Sequence, residues 1–139
     1  MPVHARLLPD YKLVYYQFSG VVTTQELMAA KQGVDDSPIG PVGFDELADM
    51  REATDFQVEF STMMMMASTA ARAAETRYDA PRLCILEGSD LAFGVSRMFQ
   101  NLIDAHNTDL SVTIVSTEED ALAFFDLKAT SISALVPES

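Results

Sequence analysis

A chain of 139 residues is the usual length of one domain, and at 48% hydrophobic residues it is not a disordered chain. Its net charge of −12, from 21 acidic and 9 basic residues, argues against nucleic acid and anionic lipid headgroups as partners, because both are gripped by lysine and arginine. Cys84 stands alone, so no disulfide can form within the chain, which fits a reducing compartment. The opening stretch MPVHARLLPDYKLVYY has neither an apolar signal region nor a small-residue cleavage site, and the longest apolar runs are too short to span a bilayer. The expectation is a cytoplasmic protein with no integral membrane association.

In chain order, Val3 to Leu8 and Lys12 to Ser19 read as strands, joined by the turn residues Pro9, Asp10 and Tyr11. Val14, Tyr16 and Phe18 share one face of the second run, and Leu13, Tyr15 and Gln17 the other. Both faces are mostly apolar, as for an inner strand covered on two sides. Gly20 is read as the end of that strand. Thr23 or Thr24 caps a helix running to about Val34, and a loop rich in proline and glycine follows over 35–43.

Phe44 to Met50 reads as the third strand, with Phe44, Glu46, Ala48 and Met50 on one face and Asp45, Leu47 and Asp49 on the other. A long helix is expected from roughly Gln57 to Tyr78, carrying Phe60, Met63, Met64, Ala67, Ala71 and Ala74 at helical spacing. Arg82 to Glu87 is a short apolar run, read as a buried parallel strand. Ser89 or Asp90 then caps a helix whose stripe is Leu91, Val95, Met98 and Leu102, widened by Phe99 and Ile103. Ser111 to Ser116 is a further strand. Thr117 and three acids open the last helix, with Ala121, Leu122, Phe124 and Phe125 on its apolar face. Beyond Lys128, Ile132, Leu135 and Val136 can pair or dock.

The order ββαβαβαβα implies an α/β fold. It predicts a mostly parallel five-stranded sheet with four flanking helices, built from right-handed βα crossovers. The first strand pairs antiparallel through the hairpin. One domain is expected over 1–139, with a core of about 3–127 and a tail over 128–139.

That order resembles the STAS fold of the bacterial anti-anti-sigma factors, and is similar to the smaller STAS/CRAL-TRIO-like family of bacterial proteins. The likeness is carried by Phe18-Ser19-Gly20 leading into Thr23-Thr24-Gln25-Glu26, by Leu47 to Arg51, and by Arg82 to Ile85. It continues through Asp90 to Phe99, Val112 to Val115 and Glu118 to Leu122. The resemblance implies a right-handed βα superhelix with helices flanking one sheet. In anti-anti-sigma factors a serine at the start of the helix after the third strand is phosphorylated by a partner kinase. The matching region, Asp49 to Phe56, offers only Thr54 as an acceptor and has no Ser-Ser-Gly. Its Glu52 and Asp55 would repel an added phosphate. The CRAL-TRIO likeness implies binding of an apolar or lipid-like ligand, although the chain is too short for a large enclosed lipid pocket.

Candidate chemistry is sparse. Cys84 lies mid-strand in an apolar run and reads as a small core residue. His4 and His106 belong to no spaced metal motif, so neither a metal site nor a cofactor is expected, and no catalytic group is assigned. Asp49 and Arg51 alternate on or just past a strand end, where open α/β sheets bind ligands. A local ion pair or a loop-fixing hydrogen bond is the plainer reading of them. Gly94 inside a helix suggests close approach of a neighbouring element, and Arg97, one turn on, is placed at the same sheet end as Arg51. Met63, Met64, Met65 and Met66 occupy four consecutive helical positions, so at least one or two must face away from the core. A dimer interface or a small apolar groove follows. The chain therefore reads as a non-enzymatic regulatory or protein-interaction module, expected to form a homodimer. The alternative is a binder of a small apolar or lipid-like ligand held near Met63 to Met66.

Overall fold

The structure is a computed structural model and describes residues 2–38, 43–74, 82–106 and 110–136. Strand β1 (Val3–Leu8) turns through a single 3-10 turn at Pro9–Tyr11 and pairs antiparallel with β2 (Leu13–Thr23). Proline at the first turn position presets its φ, and Lys12 closes the turn at φ 50°, donating its N–H to the Pro9 carbonyl at 3.2 Å. Helix α1 (Thr24–Asp35) leads to β3 (Asp45–Gln57). Helix α2 (Phe60–Ala74), β4 (Arg82–Leu86), α3 (Asp90–Asp104), β5 (Ser111–Val115) and α4 (Glu118–Phe124) follow. The sheet runs β1-β2-β3-β4-β5, and every pair after the first is parallel.

The strands advance across the sheet in one direction, so crossovers of one hand put α1, α2 and α3 on one face. Helix α4 is not a crossover and packs on the other face against β4 and β5. Two cores result. One gathers Tyr16, Phe18, Ala48, Met50 and Ile85 with Val34 of α1 and Ala92 of α3. The other gathers Leu13, Tyr15, Leu47, Cys84 and Leu86 with Ala121, Leu122 and Phe125 of α4. Ile132 and Leu135 of the tail dock on this second core and are buried there. The alternation expected along β2 and β3 is the alternation found.

Three local signals settle where helices begin. Thr23 caps α1, accepting the Glu26 N–H at 3.3 Å while donating its hydroxyl to Glu26 Oε1 at 2.7 Å. Ser89 caps α3 and Thr117 caps α4, each accepting a backbone N–H at 3.1 Å.

The structure corrects the sequence reading in several places. Strand β2 does not stop at Gly20. That residue takes φ +61° beside two register shifts, so the strand passes through a bulge and pairs on to Thr23. Strand β3 does not stop at Met50 but continues to Gln57, because the extended half of β2 offers it a partner. Beyond Asp49 no residue of β4 pairs with it, and Glu52, Thr54 and Asp55 stand exposed. A ribbon exposed in this way shows little of the apolar alternation that marks an inner strand.

Helix α2 begins at Phe60 rather than Gln57. Tyr78 and the expected last turn lie outside the described residues, as does the loop segment 39–42. The stripe of α3 is rotated from the expected one. Ala92, Ser96 and Ile103 are buried, whereas Leu91 and Met98 are 46% and 40% exposed. Ala92 and Ser96 sit on the sheet, while Leu91, Phe93 and Met98 turn outward. Nothing approaches the position where a Cβ on Gly94 would stand, so that glycine serves no close contact among the described residues.

Candidate functional site

The two faces of the sheet hold two different arrangements. On the α4 face, Asp49 is 3% exposed in the body of β3 and not at a strand end. Its Oδ1 accepts the Arg51 backbone N–H at 3.1 Å and Arg51 Nε at 3.0 Å. Its Oδ2 accepts Arg51 Nη2 at 2.8 Å and the Tyr15 hydroxyl at 2.7 Å. Burial pushes this carboxyl up, but the donors from Arg51 and Tyr15 outweigh burial and hold it below the usual carboxylate range. Burial and the adjacent Asp49 carboxylate push the Tyr15 phenol up.

The network continues outward. Arg51 Nη1 lies 3.9 Å from Glu118 Oε2 of α4, and Glu118 Oε1 accepts the Ile132 N–H of the tail at 2.5 Å. One chain of contacts thus joins β2, β3, α4 and the tail. A Cβ on Gly88 would stand 2.7 Å from Arg51 Cα, so a side chain there would force the backbone of β3 aside. Asp49 has four donors on its two oxygens and none of its capacity left for a ligand. Asp49 and Arg51 come together as a fastener.

A second fastener closes the same face. Arg82 donates Nε and Nη2 to Asp45 Oδ2 at 3.1 and 2.7 Å, and Nη1 to the Phe124 carbonyl at 3.2 Å. Its guanidinium stands over the rings of Phe124 and Phe125, with its central carbon 5.3 and 5.4 Å from their centroids. The sequence holds no spacing that would have paired residues 45 and 82.

Arg97 does not join Arg51. It lies on α3, on the opposite side of the sheet, exposed and donating to Gln100 Oε1 at 2.5 Å. Thr54 is exposed within β3, well short of the α2 start at Phe60, so it does not occupy the helix-start position that the anti-anti-sigma resemblance implied. Cys84 is fully buried, and burial pushes its thiol up to about 12, far from the thiolate needed for nucleophilic work. His4 and His106 are both exposed. Among the described residues no group of three or more His, Cys, Asp or Glu is placed to hold a metal ion.

On the other face the packing is incomplete. Helix α2 packs chiefly on α3 and stands off from the strands. The gap is a cavity of about 500 Å³. The sheet lines it with Phe18, Val22, Ala48, Met50 and Phe56, and α1 with Leu27 and Met28. Helix α2 adds Met63, Met66 and Ala70, and α3 adds Val95 and Phe99. The methionine run divides as four consecutive helical positions must. Met63 is buried, Met63, Met65 and Met66 line the cavity, and Met64 is 49% exposed and lines none of it.

Charge gathers at one end of this cavity. Lys31 and Asp35, from the last turns of α1, and Glu46, from the start of β3, are its charged lining residues. Lys31 Nζ lies 3.9 Å from Glu46 Oε2. Beside them Tyr16 is 6% exposed, and its hydroxyl has no hydrogen-bond partner among the described residues. Burial, then the nearby charges of Glu46 and Asp35, push this phenol up. The Glu46 carboxylate also approaches the hydroxyl as a hydrogen-bond acceptor would and raises it further, although the contact falls short of full hydrogen-bonding geometry. An unpaired buried hydroxyl costs about 1–3 kcal/mol. Sequence reasoning placed Tyr16 on the correct face but had no signal for a missing partner.

No family model matches the chain, and no curated protein does. Among solved structures it is similar to an uncharacterised protein of the DUF3478 family with a SpoIIAA-like fold, from Shewanella loihica PV-4. The two share 12% identity with a TM-score of 0.55, over 88% of this chain and 91% of that one. The likeness is one of fold. It agrees with the STAS-type α/β architecture expected from the order of strands and helices. Among the described residues no helix is long and apolar enough to cross a membrane.

Proposed function

We propose that this chain binds a small apolar molecule in the cavity between α2 and the sheet, and acts through binding rather than through a reaction. The observation that carries this reading is the cavity itself. Its volume of about 500 Å³ falls inside the range of about 300–1,000 Å³ common to small-molecule sites, and its walls are mainly aliphatic, aromatic and thioether side chains. Methionines suit a wall that must adapt to its occupant. The other face supplies the rigid base that such a site needs. The lone, buried thiol of Cys84 suits a reducing compartment such as the cytoplasm.

The test uses diphenylhexatriene, a hydrocarbon that fluoresces when it leaves water. Saturable binding near one molecule per chain is expected, together with its loss in Ala70→Trp, which fills the cavity from α2. An absence of saturable binding to the folded wild-type chain overturns the reading.

A second reading, a regulatory interaction module working as a homodimer, is favoured by a separate observation. Phe60, Met64 and Met65 of α2 and Leu91, Phe93 and Met98 of α3 are all at least 40% exposed, on two helices that pack together. Large exposed apolar side chains in such number suit a partner surface. Light scattering after size-exclusion chromatography should then give a dimer that Met64→Glu dissociates. A monomer at high micromolar concentration, unchanged by the substitution, sinks this reading.

A further inference from the structure

The two edges of the sheet are not protected alike. We infer that the free edge of β5 is an interaction site whose occupant is the β5 strand of a second copy, added antiparallel so that two sheets become one. This inference is independent of the cavity and of the exposed surface on α2 and α3.

Strand β5 is last in the sheet and pairs only with β4. Glu87 donates its N–H to the Val115 carbonyl at 2.9 Å, so residue 115 turns its backbone polar groups toward β4. Alternation turns those of Ser111 and Thr113 inward as well, and those of Val112 and Ile114 outward. The Val112 carbonyl accepts Gln100 Nε2 of α3 at 2.7 Å. The Val112 N–H and both groups of Ile114 have no hydrogen-bond partner among the described residues. Sheet edges are ordinarily blunted by charge, proline or a bulge. The opposite edge strand, β1, carries His4 and Arg6. In β5 these devices are missing, since residues 110–117 include no charge and no proline and the register with β4 is unbroken. Nor is β5 well covered. Strand β4 buries Cys84, Ile85 and Leu86, whereas β5 buries none of its residues.

Charge and symmetry both favour a second copy as the occupant. A chain of net charge −12 repels its own copies, and an uncharged strip is where that repulsion is least. The same strip gives a charged partner nothing to pair with. The strand is also self-complementary. When Thr113 faces Thr113 of the second copy across a twofold axis, Val112 of each chain stands opposite Ile114 of the other. Each such pair exchanges N–H···O bonds in both directions. The Val112 carbonyl can keep Gln100, because a carbonyl oxygen accepts twice. Val112 and Ile114 lie on the α3 face, half-buried, so the pairing also sets β-branched side chains against each other. Two five-residue strands make a small contact, so the dimer is expected in the micromolar range.

The test weighs the full chain by light scattering after size-exclusion chromatography at high micromolar concentration. A dimer is expected, and Thr113→Lys should weaken it by about tenfold or more, because the twofold axis sets like charges face to face. Met64→Glu should leave this dimer intact, so the two surfaces are told apart by which substitution dissolves it. A second variant needs no tolerance of a charge. Thr113→Cys, made together with Cys84→Ala because Cys84 neighbours Thr113 across β4, should give a disulfide-linked dimer when oxidised with diamide. Facing residues of a non-hydrogen-bonded pair lie about 4.5 Å apart at Cα, within reach of a disulfide. Asp36→Cys on α1, in the same background, should stay monomeric. A wild-type monomer at that concentration overturns the inference. So does a dimer that Met64→Glu dissolves and Thr113→Lys does not, or equal cross-linking from positions 36 and 113.

Discussion

The two faces of one sheet differ in how completely they are used. Along β3, Asp49 and Arg51 turn toward α4, where every acceptor position of the carboxylate is filled and the tail is tied down through Glu118. Ala48 and Met50, one residue removed, turn toward a cavity of about 500 Å³ that α2 roofs without touching the strands closely. Neighbouring tyrosines show the contrast most directly. Tyr15 donates to Asp49 at 2.7 Å, whereas the equally buried Tyr16 has no hydrogen-bond partner among the described residues. A sheet fastened on one face can leave the other face unfilled, because rigidity and occupancy need not come from the same side.

Substitutions can break that contrast. The largest effect is expected from Asp49→Ala, which strands the Tyr15 hydroxyl and the Arg51 guanidinium together. A loss of about 2–4 kcal/mol in urea unfolding is expected, below the figure for a fully buried pair because the Arg51 side chain is 39% exposed. A loss under 0.5 kcal/mol would mean that the network fastens nothing. Tyr15→Phe removes one hydrogen bond to a charged acceptor and should cost about 1.5–3 kcal/mol in the same measurement. Gly88→Ala should cost about 1–3 kcal/mol, since its new carbon meets the Arg51 backbone at 2.7 Å and not the end of a flexible side chain.

Tyr16→Phe should act in the opposite direction. Removing a buried hydroxyl that makes no full hydrogen bond should stabilise the protein by about 1 kcal/mol. A rise in melting temperature for Tyr16→Phe beside a fall for Tyr15→Phe is the sharpest single check of the comparison. Two falls of similar size would show that Tyr16 has a partner after all.

The smallest effect is one of pH. The Asp49 carboxyl lies below its ordinary value of 3.8 in the folded chain, so the folded state holds that proton less tightly than the unfolded one. Its contribution is fully present above the ordinary value and declines as pH falls from there through the lowered folded value. Urea midpoints between pH 6 and pH 3 should therefore fall less steeply in Asp49→Asn than in the wild type. Equal slopes would remove Asp49 from the acid sensitivity of the fold.

How much of this was legible in the residues depended on whether the signal was local. The turn at Pro9–Tyr11, the caps at Thr23, Ser89 and Thr117, and the faces of β2 and β3 all follow from spacings of two to four residues. The far half of β3 was hidden because its partner is the second half of β2, and the exposed Glu52, Thr54 and Asp55 weaken the alternation. The phase of α3 was misread because Ala92 and Ser96 are small and Leu91 and Met98 are large, and a hydrophobicity count favours the large ones. Asp49 and Arg51 were found as a pair two residues apart. Tyr15, 34 residues from Asp49, and Glu118, on another element, could not be attached to them from spacing alone.

By itself, then, the sequence determined the α/β class, the order ββαβαβαβα and which side of each central strand faces which core, since strand periodicity and capping act over a few residues. Tertiary structure alone decided that α2 rests on α3 and stands off from the sheet, that a cavity remains beneath it, and that Tyr16 meets no partner there. The physical reason is that a cavity is a distance between elements. No residue encodes that distance locally. It is set by how α1, α2 and α3 share one face, and here α3 meets the strands through small buried residues while α2 packs chiefly on α3.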